Sequence, residues 1–248
     1  MAGGVLPLSL RIASINPMKT HPTPRSSRLV LPVTLFLLAA CATVPALSEV
    51  TPDGLTQVKK AKADLVYVRS GVSFAGYNKV VLLEPTVAFR KNWQAESSSK
   101  AVNRPVTDAD MAKMIDTGKK MLTEEFSRRL TKAGYTLVTV AGPDVLAIKS
   151  AILELDINAP VPESERGSTN KVYADRTGEA TLVVELYDSV TGQLLARAYD
   201  QTAGDYESFR RNTERTRNTN IQDAEYVMND WSKKLVKGLE RAKEAKIP

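Results

Sequence analysis

A cysteine preceded by a leucine and two alanines sets the first chemistry open to this chain. Leu38-Ala39-Ala40-Cys41 closes an apolar run over residues 29–40. Small side chains at 39 and 40 let the backbone enter a narrow peptidase site, and the thiolate of Cys41 can attack a lipid donor. The run is short of the roughly 20 residues that cross a bilayer and suits the roughly 7–15 of a signal-peptide core. Lys19, Arg25 and Arg28 precede it with no acid among them. Charge, length and cysteine position together predict a signal peptide over residues 1–40, with Met18 an alternative start. Cleavage before Cys41 and lipidation of that cysteine should follow. A buried hairpin or helix with an accidental cysteine explains only the apolarity.

The remaining catalytic patterns each have a plainer structural explanation. Ser97-Ser98-Ser99-Lys100 has the Ser-x-x-Lys spacing in which lysine activates serine, but it sits in a polar stretch without the companion Ser-Asp-Asn and Lys-Thr-Gly elements. Asp108 and Asp110 are spaced for a divalent cation, yet first-turn acids of a helix need no ion to explain them. Glu154 and Asp156 share a strand parity and would form the paired carboxylates of a glycosidase only in a cleft; a solvated strand end is the simpler reading. Gly118-Lys119 lacks the upstream glycine and following hydroxyl of a phosphate loop.

Two stretches are candidate interaction surfaces, each against a plainer reading that carries more weight: one ring in the core with a solvated loop for the first, a solvated helix or loop for the second. Phe89-Arg90-Lys91-Asn92-Trp93 interleaves rings and cations at a strand end, a composition suited to lipid headgroups, a glycan or a protein groove. Trp93 is expected to be exposed there and Trp231 to be core. The second stretch, with Tyr206, Phe209, Arg210, Arg211, Arg215 and Arg217, could meet phosphate groups.

Composition narrows the alternatives. The chain has 248 residues and a formal net charge of +6. Four of its 34 basic residues and none of its 28 acids lie before residue 41, so the remaining 208 residues carry a net charge of only +2. Such a balance is no argument for nucleic acid. The only histidine is His21 and the only cysteine Cys41. A processed chain therefore has neither imidazole nor free thiol, which excludes Ser-His-Asp and Cys-His catalysis, Cys/His zinc sites and disulfides.

The elements that must carry these residues follow from periodicity. Residues 42–60 lack a period and read as a tether, with 61–248 a single domain. Leu65–Val68 and Tyr77–Phe89 read as strands, and 91–105 as a loop. A helix starts at Thr107 and ends at Gly134, with Gly118 on its apolar face. Tyr135–Val140 reads as a strand. In the long strand 145–157 a parity change predicts a bulge or a change of buried face near Ala151. Residues 158–176 read as a loop. Ala180, Leu182, Val184 and Leu186 alternate into a hairpin turned at Asp188–Gly192. A last helix spans about 222–243, with Ala224, Val227, Trp231, Leu235 and Leu239 inward. The expected class is α+β, two layers, with a largely antiparallel sheet and two helices packed on one face.

Leu38-Ala39-Ala40-Cys41 resembles the lipobox of bacterial lipoproteins. Asp64-Leu65-Val66-Tyr67-Val68, Phe74–Val80, Glu84-Pro85-Thr86-Val87 and the hairpin Glu185–Gly192 resemble a bacterial lipoprotein family known only as a domain of unknown function. The resemblance spans roughly 61–205, implies a lipid-anchored envelope domain, and brings no catalytic residue and no cofactor. The expectation is a non-enzymatic binding or assembly module with an unknown envelope protein or polymer as partner, and no nucleic acid. By resemblance to enterobacterial lipoproteins, whose inner-membrane members commonly carry aspartate just after the cysteine, Ala42 points to the outer membrane facing the periplasm in a diderm cell. The rival expectation is an envelope hydrolase working through Asp/Glu or Ser/Lys.

Overall fold

A computed structural model describes residues 49–59, 61–100, 105–158, 160, 172–174, 178–203 and 213–244. Its centre is β8 (Gly178–Asp188), where Ala180, Leu182, Val184 and Leu186 are buried and their neighbours reach outward. A side-chain period of two makes one face core and the other wet. Gly192, at φ +69°, closes the turn into β9 (Leu194–Ala203), which pairs antiparallel with β8. The Asp188 carboxylate accepts from the Thr191 amide at 2.7 Å and its hydroxyl at 2.8 Å.

β6 (Val145–Ile157) flanks β8 on the other side, antiparallel. Its bulge lies at Glu154, φ 52°, where the register shifts between Leu153 and Asp156. The parity change read from the sequence is present, three residues beyond Ala151. Before it Leu146, Ile148 and Ile152 are buried; after it Leu155 packs on the same core.

The rest of the sheet is mixed. β2 (Leu65–Arg69) lies antiparallel beside β9, and β1 (Leu55–Gln57) antiparallel beside β2. The expected single strand 77–89 is two, β3 (Lys79–Leu82) and β4 (Thr86–Phe89), interrupted at Glu84-Pro85 because proline withholds an N–H from the ladder. Both run parallel to β6, and β5 (Thr136–Leu137) runs parallel to β3. The order is β1-β2-β9-β8-β6-β3-β5, with β4 also on β6. β7 (Val172–Ala174), within the expected loop 158–176, pairs with β10 (Thr213–Arg215) outside this sheet. β1 falls inside the expected tether, and its Leu55 is fully buried, so the folded domain begins before residue 61.

Three helices, not two, occur among the described residues: α1 (Trp93–Lys100), α2 (Asp108–Lys132) and α3 (Arg217–Glu244). Residues 93–100 are helical where a loop was expected; α1 is too polar to show an apolar stripe. α2 carries the chain from β4 back to β5, the crossover that parallel strands require. Thr107 and Asp110 close a capping box at its start, and Gly134 at φ +88° ends it. Leu122, Phe126 and Leu130 bury one face. α3 starts five residues before position 222 and buries Met228, Trp231, Val236 and Leu239 in the core cluster that takes in the inner residues of β8, β6 and α2. Each such side chain contributes roughly 1.5–3 kcal/mol. Ser232 of α3 donates to Glu125 of α2 at 2.8 Å. Burial opposes ionisation of Glu125, but bonds from Arg128 and Ser232 outweigh it and hold the carboxyl below its ordinary value.

Candidate functional site

The Phe89–Trp93 corner is built from the end of β4 inward. Arg90 N–H donates to the Leu155 carbonyl at 3.0 Å, continuing the pairing with β6. Asn92 then takes φ 63°, turning the chain sharply, and Trp93 opens α1. The turn folds Trp93 back: it is 1% exposed and its ring stacks on Phe89 at 4.3 Å between centroids. Its indole N–H donates to the Ile157 carbonyl at 3.2 Å. Trp93 is thus a core residue, a correction to its expected exposure. The reason is that α1 has no other large apolar side chain with which to attach itself to the sheet.

The cation beside it is equally committed. Arg90 reaches Asp156 at 2.9 Å and Glu96 at 2.9 Å, which hold its guanidinium firmly charged, the Glu96 bonds first. Phe89 is half-buried and Lys91 exposed. Asp156 therefore serves Arg90, while Glu154 is exposed on the bulge, so the carboxylate pair is not assembled. Asp110 is the capping acid and Asp108 accepts from Gln94 at 2.8 Å. Ser98 accepts the Val106 N–H at 3.0 Å, and Ser97–Ser99 lie within α1, away from the start that a lysine-activated serine needs. Arg215 is buried and bonded to Asp223 at 2.6 Å, so it is not free for phosphate. Cys41, Leu38, Ala39 and Ala40, like Tyr206, Phe209, Arg210 and Arg211, lie outside the described residues.

The concave site lies elsewhere, between α3 and the β2-β9-β8 side of the sheet. Trp231, Leu235, Gly238 and Ala242 fall at i, i+4, i+7 and i+11 along α3. The facing strand β9 presents Ala196 and Ala198. Small side chains on both walls leave a groove of about 220 Å³, lined also by Val66, Val68 and Phe74. A Cβ at Gly238 would meet no heavy atom within 4 Å. A second cavity of about 220 Å³ lies between α2, α3 and the bulged end of β6, lined by Met114, Gly118, Met121 and Leu155, and Trp231 borders both.

One polar position marks the groove wall. Asp200 on β9 is 3% exposed, and Lys234 donates to its Oδ2 at 2.7 Å and to Asp230 at 3.0 Å. Burial pushes the Asp200 carboxyl above its ordinary value despite Lys234, while Lys234, resisting its own burial, is pushed up by Asp200 and Asp230. Oδ1 of Asp200 and the indole nitrogen of Trp231 are buried without a hydrogen-bond partner. Sequence reasoning missed this groove because alanine and glycine announce an opening only once their facing walls are known. The i, i+7, i+11 succession of Trp231, Gly238 and Ala242 was the one readable trace.

Comparison with known proteins gives one family match. The family model described as "Protein of unknown function (DUF3313)" matches residues 47–235. That span contains most of the residues on which the resemblance above was read. No curated protein matches. Among solved structures, a PelC dodecamer from Paraburkholderia phytofirmans is similar at 12% identity, covering 66% of this chain and 93% of that one, TM-score 0.34. Lipoprotein GNA1162 from Neisseria meningitidis is similar at 10% identity, covering 62% and 98%, TM-score 0.29. A neuraminyllactose-binding hemagglutinin homologue from Helicobacter pylori is similar at 15% identity, covering 71% and 91%, TM-score 0.32.

Proposed function

The chain belongs to the DUF3313 family of proteins of unknown function, and we propose that it is a lipid-anchored, non-enzymatic binding module of the cell envelope. The observation that carries this reading is the apolar groove beside Trp231, a concavity that the core has left unfilled. An apolar recess with a few polar groups on its wall is the usual form of a small-ligand site. The acids weighed as catalysts support binding over hydrolysis: Asp156, Asp110 and Asp108 each have a structural partner.

The envelope part of the proposal rests on Leu38-Ala39-Ala40-Cys41 and on the charged, short apolar segment before it. No helix among the described residues is long and apolar enough to cross a membrane, so in this reading the acyl chains on Cys41 hold the domain at the bilayer. Ala42 directs it to the outer membrane, facing the periplasm.

Solvent extraction of the purified protein, followed by mass spectrometry, tests the binding role. Wild type should carry an apolar molecule in near-stoichiometric amount, and Gly238→Leu, which fills the groove, should not. Equal recovery from both proteins would remove the groove from the account.

A further inference from the structure

The groove's wall is apolar but its charges are unequal. Among its cations, Arg197 is paired with Glu185 at 2.8 Å and Asp53 at 2.7 Å, and Lys234 with Asp200 and Asp230. Lys62 and Arg241 also line it, both exposed, and neither has an ion-pair partner among the described residues. The one acid on the wall, Asp200, is already neutralised by Lys234. The groove thus offers an apolar trough with two positive charges on its lining that no acid among the described residues pairs.

We infer that the groove binds a single-chain anionic amphiphile of the fatty-carboxylate class, its acyl chain lying along Phe74, Leu235 and Trp231 and its carboxylate meeting Lys62 and Arg241. The size and the charge select this occupant together. About 220 Å³ takes the inner part of one chain, the rest lying in the open mouth, and leaves no room for a second, and long cationic side chains on an apolar lining suit an anionic head with an apolar tail. This assignment rests on the reading of the groove as a binding site.

Quenching of Trp231 fluorescence by dibromostearate reports occupancy directly. The full chain is reconstituted in phosphatidylcholine vesicles at pH 8, with Trp93→Phe making Trp231 the only tryptophan. Dibromostearate should quench saturably. Gly238→Leu should abolish the saturable part without lowering the melting temperature, because its side chain enters open space and improves helix propensity. Lys62→Ala with Arg241→Ala should raise the half-saturating dibromostearate concentration about tenfold. The uncharged methyl ester should bind more weakly than the acid and be indifferent to that double change. Equal binding of acid and ester would overturn the anionic assignment while leaving an apolar site standing. Quenching that is absent, or unchanged by Gly238→Leu, would overturn both. A ligand-free dimer that Gly238→Leu dissociates would identify the groove as a contact between copies and overturn the proposal.

Discussion

The indole N–H of Trp93 donates to the backbone carbonyl of Ile157 at 3.2 Å, tying the first turn of α1 to the end of β6. The ring is stacked on Phe89 and almost wholly buried. Trp93→Ala should therefore destabilise the domain by about 3–5 kcal/mol, as a buried large-to-small change does, and by about as much as Trp231→Ala. Trp93→Phe keeps a ring but removes this hydrogen bond, at about 0.5–1.5 kcal/mol. Denaturant melts of the three variants check this, and a Trp93→Ala cost within about 1 kcal/mol would return Trp93 to the surface.

Gly118 sits within α2 opposite Val87, and a Cβ there would lie 3.5 Å from a Val87 methyl, an ordinary contact. The close approach thus tolerates a methyl group. Gly118→Ala should raise stability by up to about 1 kcal/mol through helix propensity. A lower denaturation midpoint would show that the α2–β4 spacing has no such room.

Asp188 and Tyr77 predict a pH dependence with two limbs. The amide and hydroxyl of Thr191, with the Tyr77 hydroxyl at 2.8 Å, hold the Asp188 carboxyl below its ordinary value. A depressed acid stabilises the fold above its unfolded value, about pH 4, and that contribution fades as pH falls through the lower folded value. Burial and the bond to Asp188 push the Tyr77 phenol up to about 12. A raised phenol stabilises below its unfolded value, about pH 10, and that contribution is lost as pH rises through the folded value. Thermal melts across pH should show Asp188→Asn flattening the acid limb and Tyr77→Phe the alkaline one. Limbs left unchanged would place the sensitivity elsewhere.

The anchor makes its own prediction. Acyl chains on Cys41, at about 0.8 kcal/mol per buried methylene, would hold the protein at the bilayer far more firmly than one myristoyl chain. Cys41→Ala should leave an uncleaved or soluble species that takes up no labelled palmitate. Labelling of that variant as strong as wild type contradicts acylation at this cysteine. Fractionation of the wild type with inner-membrane markers contradicts the sorting inferred from Ala42.

These expectations divide along what a sequence can express. The alternation of Ala180, Leu182, Val184 and Leu186 and the capping residues Thr107 and Gly134 are local signals, and each produced its element. The parity change in β6 announced either a bulge or a change of buried face; that it is a bulge, and lies at Glu154, depends on pairing with β8. The parallel placement of β3, β4 and β5 was not legible, because pairing direction follows from the α2 crossover rather than from any strand's residues. Trp93 was misplaced because a polar helix anchored by one ring has no apolar period. The groove was hidden for the opposite reason: Ala196, Gly238 and Ala242 matter through the side chains they lack.

The claim that this groove is where the protein binds is tested most directly by photocrosslinking in living cells from a photoreactive side chain introduced at Gly238. The control position is Tyr226, 61% exposed elsewhere on α3. The account predicts an adduct from position 238 that is lost when Ala196→Phe fills the facing wall, and no matching adduct from position 226. The same adduct from both positions, or none from 238, would contradict it.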